Sequence, residues 1–67
     1  MEIDVRGLSC PEPVLIVMDA MDEHPGETLI VRSDAAHTRD NLMKLAVTEG
    51  RKATVSEHGR IYEIVIE

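Results

Sequence analysis

The chain switches between two hydrophobic rhythms, and the order of the switches narrows its fold more than any other feature. Over residues 1–6, Ile3 and Val5 alternate with Glu2, Asp4 and Arg6, the period of a short half-buried strand. Gly7, Leu8 and Ser9 form a tight connection. Over residues 11–23 the period becomes helical: Val14, Val17, Met18 and Met21 fall at i, i+3, i+4 and i+7, with Leu15 and Ile16 widening the stripe. Pro25-Gly26 stops that helix. Residues 27–32 hold the nearly continuous run Leu29, Ile30, Val31, expected of a strand buried on both faces or inside the sheet. Residues 33–38 lead into a second helix, with Asp34 or Thr38 as its expected N-cap. That helix continues to about residue 49 with Leu42, Leu45 and Ala46 inward, and Gly50 ends it. Residues 52–57 alternate around Ala53 and Val55, His58-Gly59 marks a turn, and residues 61–67 form a last strand. Its Ile64-Val65-Ile66 run predicts a non-edge position.

The order β-α-β-α-β-β predicts an α+β fold, a two-layer α/β sandwich with two helices on one face of a mixed four-stranded sheet. The first two strands should be parallel through a right-handed crossover, and the last two an antiparallel hairpin. A chain of 67 residues with 43% hydrophobic content supports one thin core, so residues 1–67 are expected to be a single domain. Composition removes several functional classes. Tyr62 is the single aromatic residue, which leaves no stacking platform for single-stranded nucleic acid. Seven basic against thirteen acidic residues leave a net charge of −6, the wrong sign for a phosphate backbone, so no direct nucleic-acid contact is expected. The longest all-apolar run, residues 14–18, is too short to span a membrane. No secretory or transit segment precedes the first strand, and a lone Cys10 can form no internal disulfide; both point to a reducing cytoplasm. One cysteine with three scattered histidines is a poor zinc set, and no metal or cofactor is expected.

The chemistry is concentrated in Ser9-Cys10-Pro11-Glu12-Pro13. Proline lacks an N–H and fits the first turn of a helix, where N–H groups have no intrahelical partner. Were Ser9 the N-cap, Pro13 would fall too deep. With Cys10 as N-cap, Pro11 and Pro13 take the first and third helical positions, and both are tolerated. That register puts the cysteine at a helix N-terminus. There the helix dipole and the Glu12 N–H would favour the thiolate, while the Glu12 carboxylate would oppose it. The alternative is that Cys10 is a small buried hydrophobe.

The stretch Gly7-Leu8-Ser9-Cys10-Pro11-Glu12-Pro13-Val14 resembles the CPxP signature of the TusA/SirA-like sulfur-carrier family, which includes the YedF-type proteins. The resemblance runs over essentially the whole chain. Pro25-Gly26-Glu27-Thr28-Leu29 is similar to the family's turn into its second strand, and the Ser33-to-Asp40 stretch to its loop into the second helix. The chain departs from the family pattern at Asp34-Ala35, where many relatives carry Asp-Pro, and lacks the Ile-Pro often found early in the second helix. The resemblance implies the same βαβαββ sandwich. It also implies that Cys10 carries sulfur as a persulfide, received from a cysteine desulfurase or rhodanese-like donor and relayed to an acceptor protein. In the family such sulfur serves tRNA thiolation, molybdenum cofactor, or related sulfur and selenium metabolism.

Pro11, Glu12, Pro13, Arg39 and Asp40 are the expected supporting residues. Arg39 and Asp40 fall near the start of the second helix, on the same end of the sandwich as Cys10, where Arg39 could hold a thiolate by charge or dock an acidic partner. The ordinary alternative for Arg39 is a solvated salt bridge. His37 is a candidate acid or base, or else a surface residue like His24 and His58. Met18, Met21 and Met43 are expected in the core. Asp19, Asp22 and Glu23 read as the wet face of the first helix. A Cys10-His37-Asp40 hydrolase would need an oxyanion pocket that a chain this small has little room for. A thiol oxidoreductase would need a second, resolving cysteine. Two readings of different class follow: a sulfur carrier built on Cys10, and a regulatory or RNA- or protein-binding module with an inert Cys10. The second draws on a fold similar to the C-terminal domain of a bacterial translation initiation factor.

Overall fold

Ile3 and Val5 carry the start of the chain into the core, as their alternation requires, and the computed structural model describes residues 1–9 and 11–67. Six elements follow in order: β1 (Glu2–Asp4), α1 (Glu12–Glu23), β2 (Leu29–Ser33), α2 (Ala36–Thr48), β3 (Ala53–His58) and β4 (Ile61–Ile66). The sheet order is β1-β2-β4-β3, with β1 and β2 parallel and the other two pairings antiparallel. The α+β sandwich read from the sequence is therefore the fold observed.

Register sorts the strand residues between the two faces. Ile3 pairs with Val31, and Val31 with Ile64. These residues, with Leu29 and Ile66, pack beneath Val17, Ala20 and Met21 of α1 and Leu42 and Ala46 of α2. β4 lies inside the sheet, as its Ile64-Val65-Ile66 run predicts. β2 is also interior but is buried on one face only, because both helices cover the same side; Ile30 and Arg32 are half-buried on the open face.

The first helix buries less of its apolar stripe than periodicity alone predicts. Val17 and Met21 are buried, but Leu15, Ile16 and Met18 are exposed, Leu15 at 53% and Met18 at 42%. The core accepts one narrow strip of α1, and the flanks of that strip stay in solvent. Met18 thus leaves the core set expected for it, while Met21 is in it and Met43 packs against it.

The second helix ends as its Gly50 predicts. Gly50 has φ +69, its N–H donates to the Val47 carbonyl oxygen, and the Arg51 N–H donates to that of Ala46 at 2.8 Å. This is the paired reverse bonding of a Schellman stop. The β3–β4 hairpin turns through Gly59-Arg60, with Gly59 at φ +66 in the first central position of a two-residue loop. A Cβ at Gly59 would meet no neighbour, so the strain of a substitution there is purely that of the backbone. Gly59→Ala is expected to cost about 1 kcal/mol in urea unfolding. An unchanged unfolding midpoint for Gly59→Ala would contradict this turn geometry.

Candidate functional site

Because β1 and β2 are parallel, the connections leaving their C-terminal ends meet at one end of the sandwich. The β1–α1 connection is held at its base by Val5, whose N–H donates to the Arg32 carbonyl oxygen at 2.9 Å. Arg6 folds back on Asp4 through its main-chain N–H, Nε and Nη2, at 3.1, 2.9 and 2.7 Å. Leu8 bonds to the Val5 carbonyl oxygen and packs against the core. Gly7 donates its N–H to Asp34 Oδ1 at 3.2 Å, which ties this connection to the one between β2 and α2.

The fork that Arg6 makes on Asp4 has a titration signature. Its side-chain hydrogen bonds, reinforced by the Arg6 N–H, hold the Asp4 carboxyl down at about 2, against an ordinary 3.8. A depressed folded value means that the contact is intact above the ordinary value and is lost as pH falls through about 2. We expect the Asp4 carboxyl carbon to titrate near that lower value by NMR, and to return toward the ordinary one in Arg6→Ala. Identical midpoints in the two chains would show that the fork does not hold in solution.

The entry to α1 differs in register from the expectation. The helix begins at Glu12, with Pro11 as N-cap at φ −99, ψ 12 and Pro13 in the first turn. The Leu15 N–H donates to the Pro11 carbonyl oxygen at 3.1 Å, the first intrahelical bond a cap accepts. The expected cap, Cys10, lies outside the described residues. The Glu12 N–H is not free to face an anion there, because it donates to the Ser9 carbonyl oxygen at 3.0 Å and closes a turn before the helix starts. Pro13 has no N–H to offer and is buried, so it anchors the turn by packing. Ser9, Pro11 and Glu12 are exposed. The segment around the motif is thus presented at the surface on a base that Leu8 and Pro13 fix to the core.

At the same end, α2 starts from Ala35 rather than from Asp34 or Thr38. The Asp34 carboxylate is turned toward Gly7, and Thr38 is buried inside the helix at 2% exposure. Ser33 organises the entry: its hydroxyl oxygen accepts the Ala35 N–H at 3.2 Å. Arg39 and Asp40 are brought together, Nε to Oδ1 at 2.9 Å. That hydrogen bond raises the affinity of the Arg39 guanidinium for its proton and lowers that of the Asp40 carboxylate. Arg39 also lies over the Tyr62 ring at 4.8 Å from its centroid, so its charge is directed at β4. Nothing local in the sequence marks that partner, which is 23 residues away along the chain. His37 is exposed and makes no hydrogen bond or ion pair among the described residues. With Asp40 committed to Arg39, the His-Asp pairing of a hydrolytic triad is not formed. No group of three metal-ligating side chains converges among the described residues.

The family model described as sulfurtransferase TusA matches residues 1–67, from the first residue of the chain to the last. The chain belongs to the TusA sulfurtransferase family. It is also similar to the crystal structure of a SirA-like protein from Desulfitobacterium hafniense, at 27% sequence identity and a TM-score of 0.89. The match covers 98% of this chain and 95% of that one. Proteins of the TusA family act in sulfur relay with partner proteins. The departures at Asp34-Ala35 leave the family fold intact, with Asp34 serving as a tie between the two connections.

Proposed function

We propose that this TusA-family chain is a sulfur carrier whose Cys10 holds one sulfane sulfur as a persulfide. The observation that carries this reading is the chain's only thiol, set in an intact Cys-Pro-Glu-Pro motif within a sequence that the family matches throughout. The Cys10 thiolate attacks the outer sulfur of a persulfide on a donor protein, a cysteine desulfurase or rhodanese-like enzyme. A sulfur–sulfur bond forms at Cys10, the donor's bond to that sulfur breaks, and the donor leaves as a thiolate. The acceptor's thiolate then attacks the same sulfur and releases Cys10. One sulfur atom moves in each step, and no external oxidant or reductant is consumed. The reacting atoms sit on two proteins, so the chain needs an exposed thiol and a docking surface more than a substrate pocket. A reducing compartment, the cytoplasm, suits a carrier that works without an internal disulfide.

What the first turn of α1 offers a thiolate is smaller than the sequence predicts, because the Glu12 N–H is spent on Ser9. Stabilisation then rests on the helix dipole against the Glu12 carboxylate. The test is incubation with a cysteine desulfurase and sulfur-labelled cysteine. The intact chain is expected to gain the mass of one sulfur atom, in a form that a thiol reductant removes. A chain that gains no sulfur, or gains it equally without the Cys10 thiol, would end this reading.

A further inference from the structure

We propose that the groove between α1 and the outer edge of β1 takes an extended, basic and aliphatic segment of a partner protein, added as a strand beside β1. The groove encloses about 440 Å³ and is lined on one side by β1 and on the other by Ile16, Asp19, Ala20 and Glu23. Those four residues fall at i, i+3, i+4 and i+7, a single stripe of α1. The stripe rises about 10 Å along the helix axis, and three residues of β1 span about the same length, so the two walls match.

The chemistry of the walls selects the occupant. β1 pairs with β2 alone, through Met1, whose carbonyl oxygen accepts the Ile30 N–H, and Val5, whose N–H donates to Arg32. Alternation along a parallel strand then turns the main-chain N–H and C=O of Glu2 and Asp4 away from β2 and toward the groove. The floor is apolar: Ile3 and Ala20 are buried beneath Ile16, which stays 39% exposed. A strand laid along β1 would turn alternate side chains onto that floor, which asks for an aliphatic residue.

The rim is acidic. Glu2 is paired with Arg32 at 2.6 Å and Asp4 with Arg6 at 2.7 Å. Asp19 and Glu23 make no ion pair among the described residues, and α1 holds no basic residue to compensate them. Two uncompensated carboxylates beside an apolar floor, on the helix side of the sheet, call for Lys or Arg two positions either side of the aliphatic residue, on the same face of the added strand. A second copy of this chain, at a net charge of −6, is a poor source of the cations that Asp19 and Glu23 call for.

The proposal stands apart from sulfur transfer, and its test uses none. The probe is the capped pentapeptide Lys-Thr-Val-Thr-Lys, whose Val and two Lys share one face of a strand, titrated into the ¹⁵N-labelled chain and followed by amide chemical shifts. Shifts are expected to concentrate on Glu2, Ile3, Asp4, Ile16, Ala20 and their neighbours, and the capped Glu-Thr-Val-Thr-Glu should leave them in place. The double variant Asp19→Lys, Glu23→Lys should weaken binding by about tenfold or more. The single variant Ile16→Lys should weaken it while leaving the fold, read by the remaining amide shifts, unchanged. Shifts spread evenly over distant carboxylates such as Glu49, Glu57 and Glu67 would mean nonspecific charge attraction and would overturn the proposal. So would no response at millimolar peptide, or shifts at the groove that grow with protein concentration in the absence of peptide, which would identify a second copy as the occupant.

Discussion

A chain carrying Cys10→Ser is expected to fold as the parent does and to take up no sulfur from a desulfurase charged with labelled cysteine. The loss should be complete rather than graded, because no second thiol exists to substitute for the first. A serine hydroxyl has nearly the size of the thiol but does not ionise near neutral pH, so it cannot attack a persulfide. Folding should survive, since the helix entry is built by neighbours: Pro11 caps α1, Glu12 bonds to Ser9, and Leu8 and Pro13 hold the turn to the core. Two measurements separate the outcomes. The mass of the intact chain reports sulfur, and the urea midpoint reports the fold. Cys10→Ala provides the same comparison without the hydroxyl. Sulfur retained on either variant would place the chemistry elsewhere.

Leu42→Ala is expected to leave the chain largely unfolded or close to it. Leu42 is fully buried on α2, against a core that also holds Val31, Ile64 and Ile66. Truncating a buried Leu costs about 2–5 kcal/mol, combining lost transfer energy with the cavity left behind. A domain of this length holds only on the order of 3–10 kcal/mol in total, taking about 0.05–0.15 kcal/mol per residue. One side chain therefore accounts for a large part of the margin. On the same helix Val47 is 77% exposed, and Val47→Ala should shift the urea midpoint little. Far-UV circular dichroism against urea would check both. Equal midpoints for Leu42→Ala and the parent would show that α2 is not seated on the sheet as described.

Between them the two variants separate the proposed chemistry from the architecture: the first tests one atom, the second the packing of α2 on the sheet. The groove beside β1 belongs to neither. It depends on α1 being only partly covered, which is also why Leu15 and Met18 remain at the surface.

Much of this protein was legible in one dimension. The change of period from two to 3.6 and back located all six elements, because side-chain direction repeats with backbone geometry and each element must put its apolar residues on one side. Glycines at 50 and 59 marked a helix stop and a hairpin, since a positive φ strains other residues. The Cys-Pro-Glu-Pro motif singled out the thiol because two prolines so close together fit only the beginning of a helix. Three-dimensional packing decided the rest. Which apolar residues of α1 were buried depended on how much of the helix its neighbours could cover, and Ile16 and Met18 fell outside that strip. The Glu12 N–H and the Asp34 carboxylate, both assignable to helix caps by sequence distance, were claimed instead by Ser9 and Gly7. Arg39 found Tyr62 across 23 residues of chain, and Ile3 met Ile16 and Ala20 along one groove. Periodicity records which way a side chain points along its own element. Hydrogen-bond partners and exposed grooves depend on which elements become neighbours, and that is settled only when the chain closes on itself.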